Sequence, residues 1–438
     1  MRKQITNVQY VVDKKKCSGC GACYVACDCD AITIIRSEGY GLYIPFVDKG
    51  KCVNCKQCLD VCTGYTKVNK MDFDCPNNDP DIGEYRDVYY GNTLDEDLRK
   101  NAASGGCVTE VLRSGLRFGE IDAAVVVGLT FGSTIDSLVY VARTEEDILC
   151  AKASKYFPTN NCVALKELLS YPDEQFAFVG LPCQVNGLRL LQKKYPVLKK
   201  NIKLVVGLLC GHMVSFRGTR ELLSAHSIRS SSLVNMCYRG GGWPGFFKAE
   251  AVSGHSVKLS SGEVWQDFFQ NNIYTPQRCL VCADFFSNQA DLSVGDAWDA
   301  DLLKETTSGY SLMIVRSAFA ENIIKKMYKD KILNINLYDI KKIKKNFWSN
   351  IVFSKRLVEQ KKRMKIMLSV EIPPSDIDSN SDEQDKSSKV FFIVFLIFII
   401  HKFRRLLIFI TKLKLVRFLF NKVYSKILWR LSQWSQCE

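Results

Sequence analysis

Two short cysteine runs near the amino terminus have the residue types and spacing to do redox chemistry. The first run holds Cys17, Cys20, Cys23 and Cys27, and the second holds Cys52, Cys55, Cys58 and Cys62. Both follow the spacing C-x2-C-x2-C-x3-C, in which three thiolates surround one iron–sulfur cube and the fourth reaches a second cube. The pattern therefore predicts two [4Fe–4S] clusters, one bound by Cys17, Cys20, Cys23 and Cys62 and the other by Cys52, Cys55, Cys58 and Cys27. Zinc is the alternative, but zinc sites usually combine two C-x2-C pairs.

Four cysteines further along the chain form a second candidate group. Cys183 follows the apolar run 176–181, and Cys210 ends the apolar run 203–210. Cys279 and Cys282 form a C-x2-C pair. Because ligand sites of α/β sheets collect at the carboxyl ends of strands, these four are candidates for a third four-thiolate site. The alternative is that they are small buried core residues, a common role of cysteine.

Two glycine-rich turns accompany these cysteines. Ala103-Ser-Gly-Gly106 precedes a helical pattern, as a phosphate-binding turn does at a helix amino terminus. Residues 239–245, RGGGWPG, combine close backbone approach with a cation and an indole, which suits a planar cofactor carrying a pyrophosphate. Each stretch is also explained by a tight turn that needs glycine and binds nothing. No G-x-G-x-x-G follows a strand, so the sequence does not indicate a standard dinucleotide-binding site.

The elements that must position these residues indicate an α+β protein. We expect a ferredoxin-like 2[4Fe–4S] domain over 1–75, a mixed α/β core over 85–370, a polar linker over 371–389 and a helical tail over 390–438. Buried-strand runs lie at 121–129, 176–181, 203–210 and 311–316, whereas the Asp-, Asn- and Pro-rich stretch 71–95 is predicted to be a connector. In the tail, basic residues alternate with Leu, Ile, Phe and Trp. This pattern predicts a helix on an anionic membrane surface or docked on a partner subunit.

Charge and cysteine usage restrict the classes of protein. From residue 389 onward, ten Lys/Arg face one Glu, which leaves only five of the fourteen net positive charges to residues 1–388. A body so weakly basic argues against a nucleic-acid partner. The first sixteen residues lack the apolar core of a secretory signal, so the nineteen cysteines are expected to be reduced thiols and metal ligands. The expected location is the cytoplasm, with peripheral contact to the inner face of the membrane through the tail.

Six ordered motifs resemble the beta subunit family of coenzyme F420 hydrogenase/dehydrogenase, which also includes 7-hydroxymethyl chlorophyll a reductase. The motifs are ASGG (103–106), ASKYF (153–157), GLPCQ (180–184), RGGGWPG (239–245), RCLVC (278–282) and ADLSVGDAW (290–298). The resemblance runs from about residue 10 to 330 and implies a flavin-binding core with bound FAD. It also implies a third [4Fe–4S] cluster held by Cys183, Cys210, Cys279 and Cys282. The residues implied to lie near the flavin are Ser104, Gly105, Gly106, Lys155, Tyr156 and Arg239.

Two stretches depart from the family pattern, and the first is GLPCQ (180–184), which stands where relatives usually have GTPCQ. Cys210-Gly-His212 stands where many relatives have the order Cys-His-Gly. His212 therefore has two interpretations, as part of the site or as a satisfied, partly buried histidine.

Together these features predict an iron–sulfur flavoprotein oxidoreductase. Clusters move single electrons and a flavin exchanges two, so the chain is expected to take electrons from a ferredoxin-like donor and pass them through FAD to a small organic acceptor. Coenzyme F420 and a substrate of polysaccharide biosynthesis are both candidate acceptors. The alternative function is a non-catalytic electron-transfer subunit of a larger redox complex.

Overall fold

A computed structural model describes residues 5–270 and 272–356, together with the single positions 373, 399 and 422. Apart from those single positions, the linker predicted at 371–389 and the tail predicted at 390–438 lie outside the described residues. Among the described residues, no helix has the length and apolar character needed to cross a membrane.

The amino-terminal unit is a small duplicated fold around one hairpin. Its elements are α1 (Gln9–Asp13), α2 (Ala22–Val25), β1 (Ile32–Ser37), β2 (Leu42–Val47) and α3 (Gln57–Asp60). Strands β1 and β2 pair antiparallel. Helices α2 and α3 each begin directly after a residue with positive φ, Gly21 at 90° and Lys56 at 65°. These two residues hold equivalent places in the two cysteine runs, so the sequence repeat is also a repeat of backbone geometry.

The remaining strands form a large mixed sheet and two small antiparallel groups. They are β3 (Asn77–Asp79), β4 (Gly83–Tyr85), β5 (Asp87–Thr93), β6 (Ala123–Phe131), β7 (Ile135–Ala142), β8 (Phe176–Gly180), β9 (Ile202–Leu208), β10 (Leu233–Cys237), β11 (Phe246–Ala251), β12 (Ser256–Ser260), β13 (Leu292–Asp296), β14 (Ser311–Val315) and β15 (Leu333–Leu337). The eight-stranded sheet has the order β15-β5-β14-β13-β9-β8-β6-β7. Its centre, β6-β8-β9-β13, is parallel, and its outer pairs are antiparallel. The expectation of a mixed α/β core is confirmed.

Helices cover both faces of this sheet. They are α4 (Glu96–Asn101), α5 (Cys107–Arg117), α6 (Glu145–Cys150), α7 (Leu165–Leu168), α8 (Pro182–Lys194), α9 (Pro196–Asn201), α10 (Phe216–Ala225), α11 (Ser261–Val264), α12 (Gln277–Leu280), α13 (Ala300–Glu305), α14 (Ala318–Lys329), α15 (Ile340–Asn346) and α16 (Trp348–Ile351). Short 3-10 turns lie at Asn161–Ala164 and Ser230–Ser232, and π-helical turns lie at Trp265–Phe269 and Val352–Arg356. Helices α5 and α14 pack on one face, and α7 and α8 pack on the other.

The prediction that 71–95 is only a connector is wrong over its second half. Strand β5 pairs with β14 on one side and β15 on the other. Its sequence, DVYYGNT, lacks the apolar run that marks the other strands. It is nevertheless a strand, because both neighbouring strands pair with its backbone along its length. A side chain at Gly91 would run into the backbone of Asn334, so glycine here permits close strand pairing and does not mark a turn.

The amino-terminal unit shares a hydrophobic core with the main sheet. Ala22, Val25 and Ala26 pack in one buried cluster with Val185 and Leu188 of α8. The unit is therefore fixed against the same helix that begins beside Cys183.

Candidate metal centres and cofactor site

A first cavity in the amino-terminal unit contains four of the predicted ligands. Cys17, Cys20, Cys23 and Cys62 all line it, so the fourth cysteine of the second run joins three from the first run. The remaining wall is largely apolar and includes Val8, Val11 and Ile34. The four thiols thus face a space that water enters poorly.

A second cavity contains the other four. It is lined by Cys27, Cys52, Cys55 and Cys58. The amide of Ala31 donates to Cys27 Sγ at 3.3 Å, and Asn7 Nδ2 donates to Cys52 Sγ at 3.6 Å. Cys55 is exposed, which places this cavity at the protein surface. The exchange of fourth cysteines between the runs is therefore the arrangement that the spacing predicts.

In the described part of the chain, no three His, Cys, Asp or Glu side chains converge on one metal-ion position. A structural zinc ion holds four ligands at about 2.0–2.3 Å from one centre, so its ligands lie close together. The corners of an iron–sulfur cube each bind one thiolate and therefore spread the sulfurs further apart.

Burial disfavours the ionised form of two thiols in the first cavity. Burial raises the pKa of Cys17 to about 12, and burial likewise raises the pKa of Cys62 above its usual range. Cys20 differs, because a side-chain hydrogen bond with Cys162 lowers its pKa to about 7. The apolar wall does not stabilise the other thiolates, and the positive charge of bound iron would stabilise them.

The third cysteine group lies at the carboxyl ends of two parallel strands. Cys183 stands in the first turn of α8, directly after β8, and Cys210 follows β9. The two strands are neighbours, with Gly180 opposite Gly207.

The C-x2-C pair completes this group. Cys279 lies in α12, and the amide of Cys282 donates to its carbonyl at 3.2 Å. After burial, the neighbouring thiols Cys279 and Cys282 are among the causes that raise the pKa of both Cys183 and Cys210. The structure therefore places the four cysteines of the candidate third site within electrostatic reach of one another.

The third group also adjoins the first cavity. Cys20 is, after burial, the largest influence on the pKa of Cys183, and it raises that pKa. Arg278 is 4% exposed and acts electrostatically on Cys17, Cys183 and Cys279. A buried cation thus lies beside thiols of both groups.

His212 does not join the third group as a charged residue. Burial lowers its pKa to about 4, and its Nε2 lies 3.1 Å from the carbonyl oxygen of Phe269. Its ring also packs against Trp265. The hydrogen bond and the ring packing fit the satisfied, partly buried histidine of the two interpretations that the sequence allows.

The glycine turn at 104–106 is fixed by strand β14. The hydroxyls of Ser104 and Ser311 lie 2.8 Å apart, and the amide of Gly105 donates to the same Ser311 oxygen at 3.1 Å. Gly106, with φ of 77°, is the residue from which α5 starts. The predicted turn at a helix amino terminus is confirmed.

Arg239 is the centre of a buried polar network. Its Nη1 donates to Tyr156 Oη at 3.0 Å, its Nε donates to the Pro244 carbonyl at 2.5 Å, and Nη2 donates to the carbonyl of Ala103. Both Nη atoms also donate to Asp296. The guanidinium therefore joins the two glycine-rich turns, and protein oxygens already surround it.

Lys155 lies apart from that network. Its ammonium donates to the carbonyls of Ala151, Lys152 and Ala153, which follow the end of α6. Burial lowers the pKa of this amine to about 7, whereas the three carbonyl acceptors favour its protonated form. Of the two adjacent residues implied to contact flavin, only Tyr156 reaches Arg239.

Sequence reasoning missed three residues of this region. Cys162 stands in NNCVA with no second cysteine at ligand spacing, and Arg278 resembles an ordinary surface cation. The indole of Trp243 donates to Asp296 Oδ1 at 2.8 Å and stacks on Trp298. Arg278 and Trp243 both lie in motifs that the sequence singles out, RCLVC and RGGGWPG, so of the three only Cys162 carries no sequence signal.

Family models match most of the described chain. Residues 88–166 match the amino-terminal model of the family "Coenzyme F420 hydrogenase/dehydrogenase, beta subunit", and residues 173–341 match the carboxyl-terminal model of the same family. Residues 16–64 match "4Fe-4S dicluster domain". The amino-terminal unit is thus an iron–sulfur domain of the 4Fe-4S type.

Curated relatives carry related names. The chain is 27% identical over 348 residues to "Coenzyme F420-dependent sulfite reductase" of Methanocaldococcus jannaschii, a match that covers 76% of this chain but 49% of that protein. It therefore spans about half the length of that relative. It is also 27% identical over 265 residues to "Coenzyme F420 hydrogenase subunit beta" of Methanococcus voltae, covering 59% of this chain and 88% of the relative.

A solved structure shares the fold. It is a chain of the F420-reducing [NiFe] hydrogenase complex from Methanosarcina barkeri, with a TM-score of 0.53 and 23% identity. The match covers 68% of this chain and 99% of the other.

Proposed function

The chain belongs to the coenzyme F420 hydrogenase/dehydrogenase beta subunit family, and we propose that it is an iron–sulfur flavoprotein oxidoreductase. In this proposal it accepts electrons from a ferredoxin-like donor and delivers them through FAD to a small organic acceptor. When bound, the clusters carry single electrons and the flavin exchanges electrons in pairs. The observation that carries the proposal is that Cys20 Sγ, in the first cavity, lies 3.3 Å from the position of a Cβ on Gly187, one turn along α8 from Cys183 of the third group.

The proposed ligand sets follow the cavities. One [4Fe–4S] cluster takes Cys17, Cys20, Cys23 and Cys62, a second takes Cys27, Cys52, Cys55 and Cys58, and a third takes Cys183, Cys210, Cys279 and Cys282. Soft thiolates are the donors that iron–sulfur clusters use, and the chain supplies four to each group. Apolar side chains make up much of the wall around the first set.

The second cavity is the proposed entry point for electrons. Cys55 is exposed there, and Val53, beside it, is 70% exposed. Lys49 and Lys51 stand exposed next to Cys52. An acidic one-electron carrier would find an apolar contact and complementary charge close to a ligand sulfur.

The flavin site is proposed at the junction of the two glycine-rich turns. The helix α5 starts at Gly106, and the amides of its first turn are suited to hold a pyrophosphate. Arg239 fits the role of a positioning residue better than that of a phosphate ligand, because Asp296, Tyr156 and two carbonyls already accept its hydrogen bonds. It holds Ala103, and with it the phosphate-facing turn, against the RGGGWPG turn.

A count of iron, sulfide and flavin on anaerobically prepared full-length protein tests these assignments. Since each cube carries four irons, three clusters give about twelve irons per chain and two give about eight. About twelve irons with one FAD is the expected result. About eight irons would remove the third cluster, and a protein that binds iron but no flavin would remove the flavin.

The acceptor is proposed to be a deazaflavin of the coenzyme F420 type, the compound named in the relatives. A sugar-linked substrate of polysaccharide biosynthesis is the other acceptor to be titrated. Under anaerobic conditions, the reduced protein should transfer two electrons to its acceptor without any further subunit.

The second candidate function is a non-catalytic electron-transfer subunit. It is favoured by the solved structure of the same fold, which is part of a hydrogenase complex. In that case the reduced protein would transfer electrons to none of these acceptors on its own, while retaining its full complement of iron.

A separate proposal concerns residues 390–438 and rests on sequence alone. Their alternating basic and apolar residues suit a peripheral contact with an anionic membrane. Flotation of the full chain and of a chain ending at 388 with anionic liposomes tests it. Equal flotation of the two would end this proposal.

A further inference from the structure

Cys162 is a buried thiol placed between two of the candidate metal centres. It lies in the 3-10 turn Asn161–Ala164 and is 0% exposed. Its amide donates to the carbonyl of Cys20 at 3.0 Å. Its Sγ donates to the carbonyl of Gln184, the residue after Cys183, at 3.3 Å. One short turn thus touches the backbone of a residue in the first group and the backbone next to a residue in the third group.

The sulfur of Cys162 also lies near the sulfur of Cys20. The Cys162 side chain is the largest influence on the pKa of Cys20, which it lowers. Both sulfurs lie 3.3 Å from the position that a Cβ on Gly187 would occupy. Gly187 therefore leaves the space in which the two sulfurs meet, and any larger residue there would push them apart.

We propose that Cys162 is a positioning residue that donates its S–H hydrogen bond to the sulfur of Cys20 and thereby raises the midpoint potential of the cluster in the first cavity. The inference rests on the proposed function only in that Cys20 must ligate iron. Reduction makes a cluster and its sulfurs more negative, and a donor to a ligand sulfur favours the more negative state. The fully buried position strengthens this effect, since no water competes for the acceptor.

The thiol of Cys162 has a second available acceptor, the carbonyl of Gln184. When Cys20 gains negative charge, its sulfur is a better acceptor than the neutral carbonyl of Gln184. The amide bond from Cys162 to the Cys20 carbonyl keeps the thiol in place for either partner. The bond to Cys20 is therefore strongest in the reduced protein, which is the condition for a rise in potential.

The test is an anaerobic redox titration of the full chain, followed by electron paramagnetic resonance, for Cys162→Ala and Cys162→Ser. We expect Cys162→Ala to shift the reduction equilibrium of one cluster about tenfold toward the oxidised state, or about 59 mV for a one-electron couple. Cys162→Ser keeps a donor, so its potential should stay at or above that of the unchanged chain. Cys75→Ala is the matched control, because Cys75 donates to the carbonyl of Arg316, away from the cavities.

The outcomes separate this inference from the proposed function. An unchanged potential in Cys162→Ala, with iron content intact, overturns the role of Cys162 and leaves the clusters in place. An equal downward shift in the alanine and serine variants also overturns it, since packing and not the donor would then be responsible. If Cys162→Ala loses iron, the serine variant decides: a lowered potential refutes the hydrogen bond. A wild-type chain with no iron–sulfur signal refutes the proposed function itself.

Discussion

Arg239 and Asp296 form a two-point ion pair in the interior of the protein. Nη2 of Arg239 lies 3.0 Å from Oδ1 of Asp296, and Nη1 lies 3.2 Å from Oδ2. The arginine is 3% exposed, and the indole of Trp243 donates to the same carboxylate at 2.8 Å. Because Asp296 ends β13, this pair fixes the RGGGWPG turn to the central sheet.

Removal of the carboxylate from this pair is expected to be costly. In Asp296→Ala, the guanidinium stays buried without its counter-charge, so the free energy of unfolding should fall by about 3–5 kcal/mol. Urea denaturation measures the loss. The control is Asp301→Ala, because Asp301 is exposed and contacts Lys304 only at 3.9 Å, so its change should stay within about 0.5 kcal/mol. Equal losses in the two variants would show that the buried ion pair contributes no more to stability than the exposed Asp301 does.

The glycine at 105 is expected to be irreplaceable for packing. A Cβ there would lie 2.7 Å from the amide nitrogen of Ser311 and would also collide with the carbonyl of Gly91. Gly105→Ala should therefore destabilise the chain by about 1–3 kcal/mol and lower its flavin content. Gly132→Ala is the control, since nothing lies within 4 Å of a Cβ at that position. Normal stability and flavin content in Gly105→Ala would contradict this account of the turn.

The proposed third cluster is expected to depend on cysteines from separate elements of the fold. Cys183→Ser should lower the iron content by about four per chain while leaving about eight in the amino-terminal domain. Iron and sulfide assays on anaerobically purified protein measure this directly. Cys150→Ser, an exposed thiol in α6, should change neither value. A Cys183→Ser chain with unchanged iron would show that Cys183 is not a ligand.

Electron entry at the second cavity is expected to depend on its lysines. In Lys49→Glu/Lys51→Glu, the rate constant for reduction by a ferredoxin should fall about tenfold at low salt, because charge steering of this kind contributes about 10- to 1,000-fold. Stopped-flow mixing at two ionic strengths measures it, and the difference should shrink as salt rises. Lys329→Glu/Lys331→Glu, exposed at the end of α14 and just after it, provides the charge-matched control. Equal rates in all three proteins would place electron entry elsewhere.

The metal centres were the most predictable part of this molecule. Ligand spacing is a local property, so the exchange of Cys27 and Cys62 between the two runs could be inferred before any fold was known. The third group needed the fold, because Cys183 and Cys279 meet only through the order of β8, β9 and the helix α12. Cys162 could not be found from sequence at all, since a single thiol acquires its role only from what it packs against.

Strand prediction failed for β5, which is held by its neighbouring strands and has no apolar run of its own. The runs at 123–131, 176–180, 202–208 and 311–315 are strongly apolar, and all were predicted within a few residues. Strand β5 carries Tyr, Asn and Asp, and it is a strand because β14 and β15 satisfy its backbone on both sides. Hydrogen bonds that neighbouring strands make to a strand's backbone can hardly be recognised from the residue types of that strand.

The packing of Ala22 and Val25 against Val185 and Leu188 has a consequence for the speed of turnover. Many electron carriers work by a domain that swings between donor and acceptor, and their turnover slows in thickened solvent. Here the helix that begins beside Cys183 is also the surface on which the amino-terminal unit is packed, so the proposed first and third clusters are held on one rigid support. Electron transfer between them should therefore proceed at the same rate in glycerol as in water.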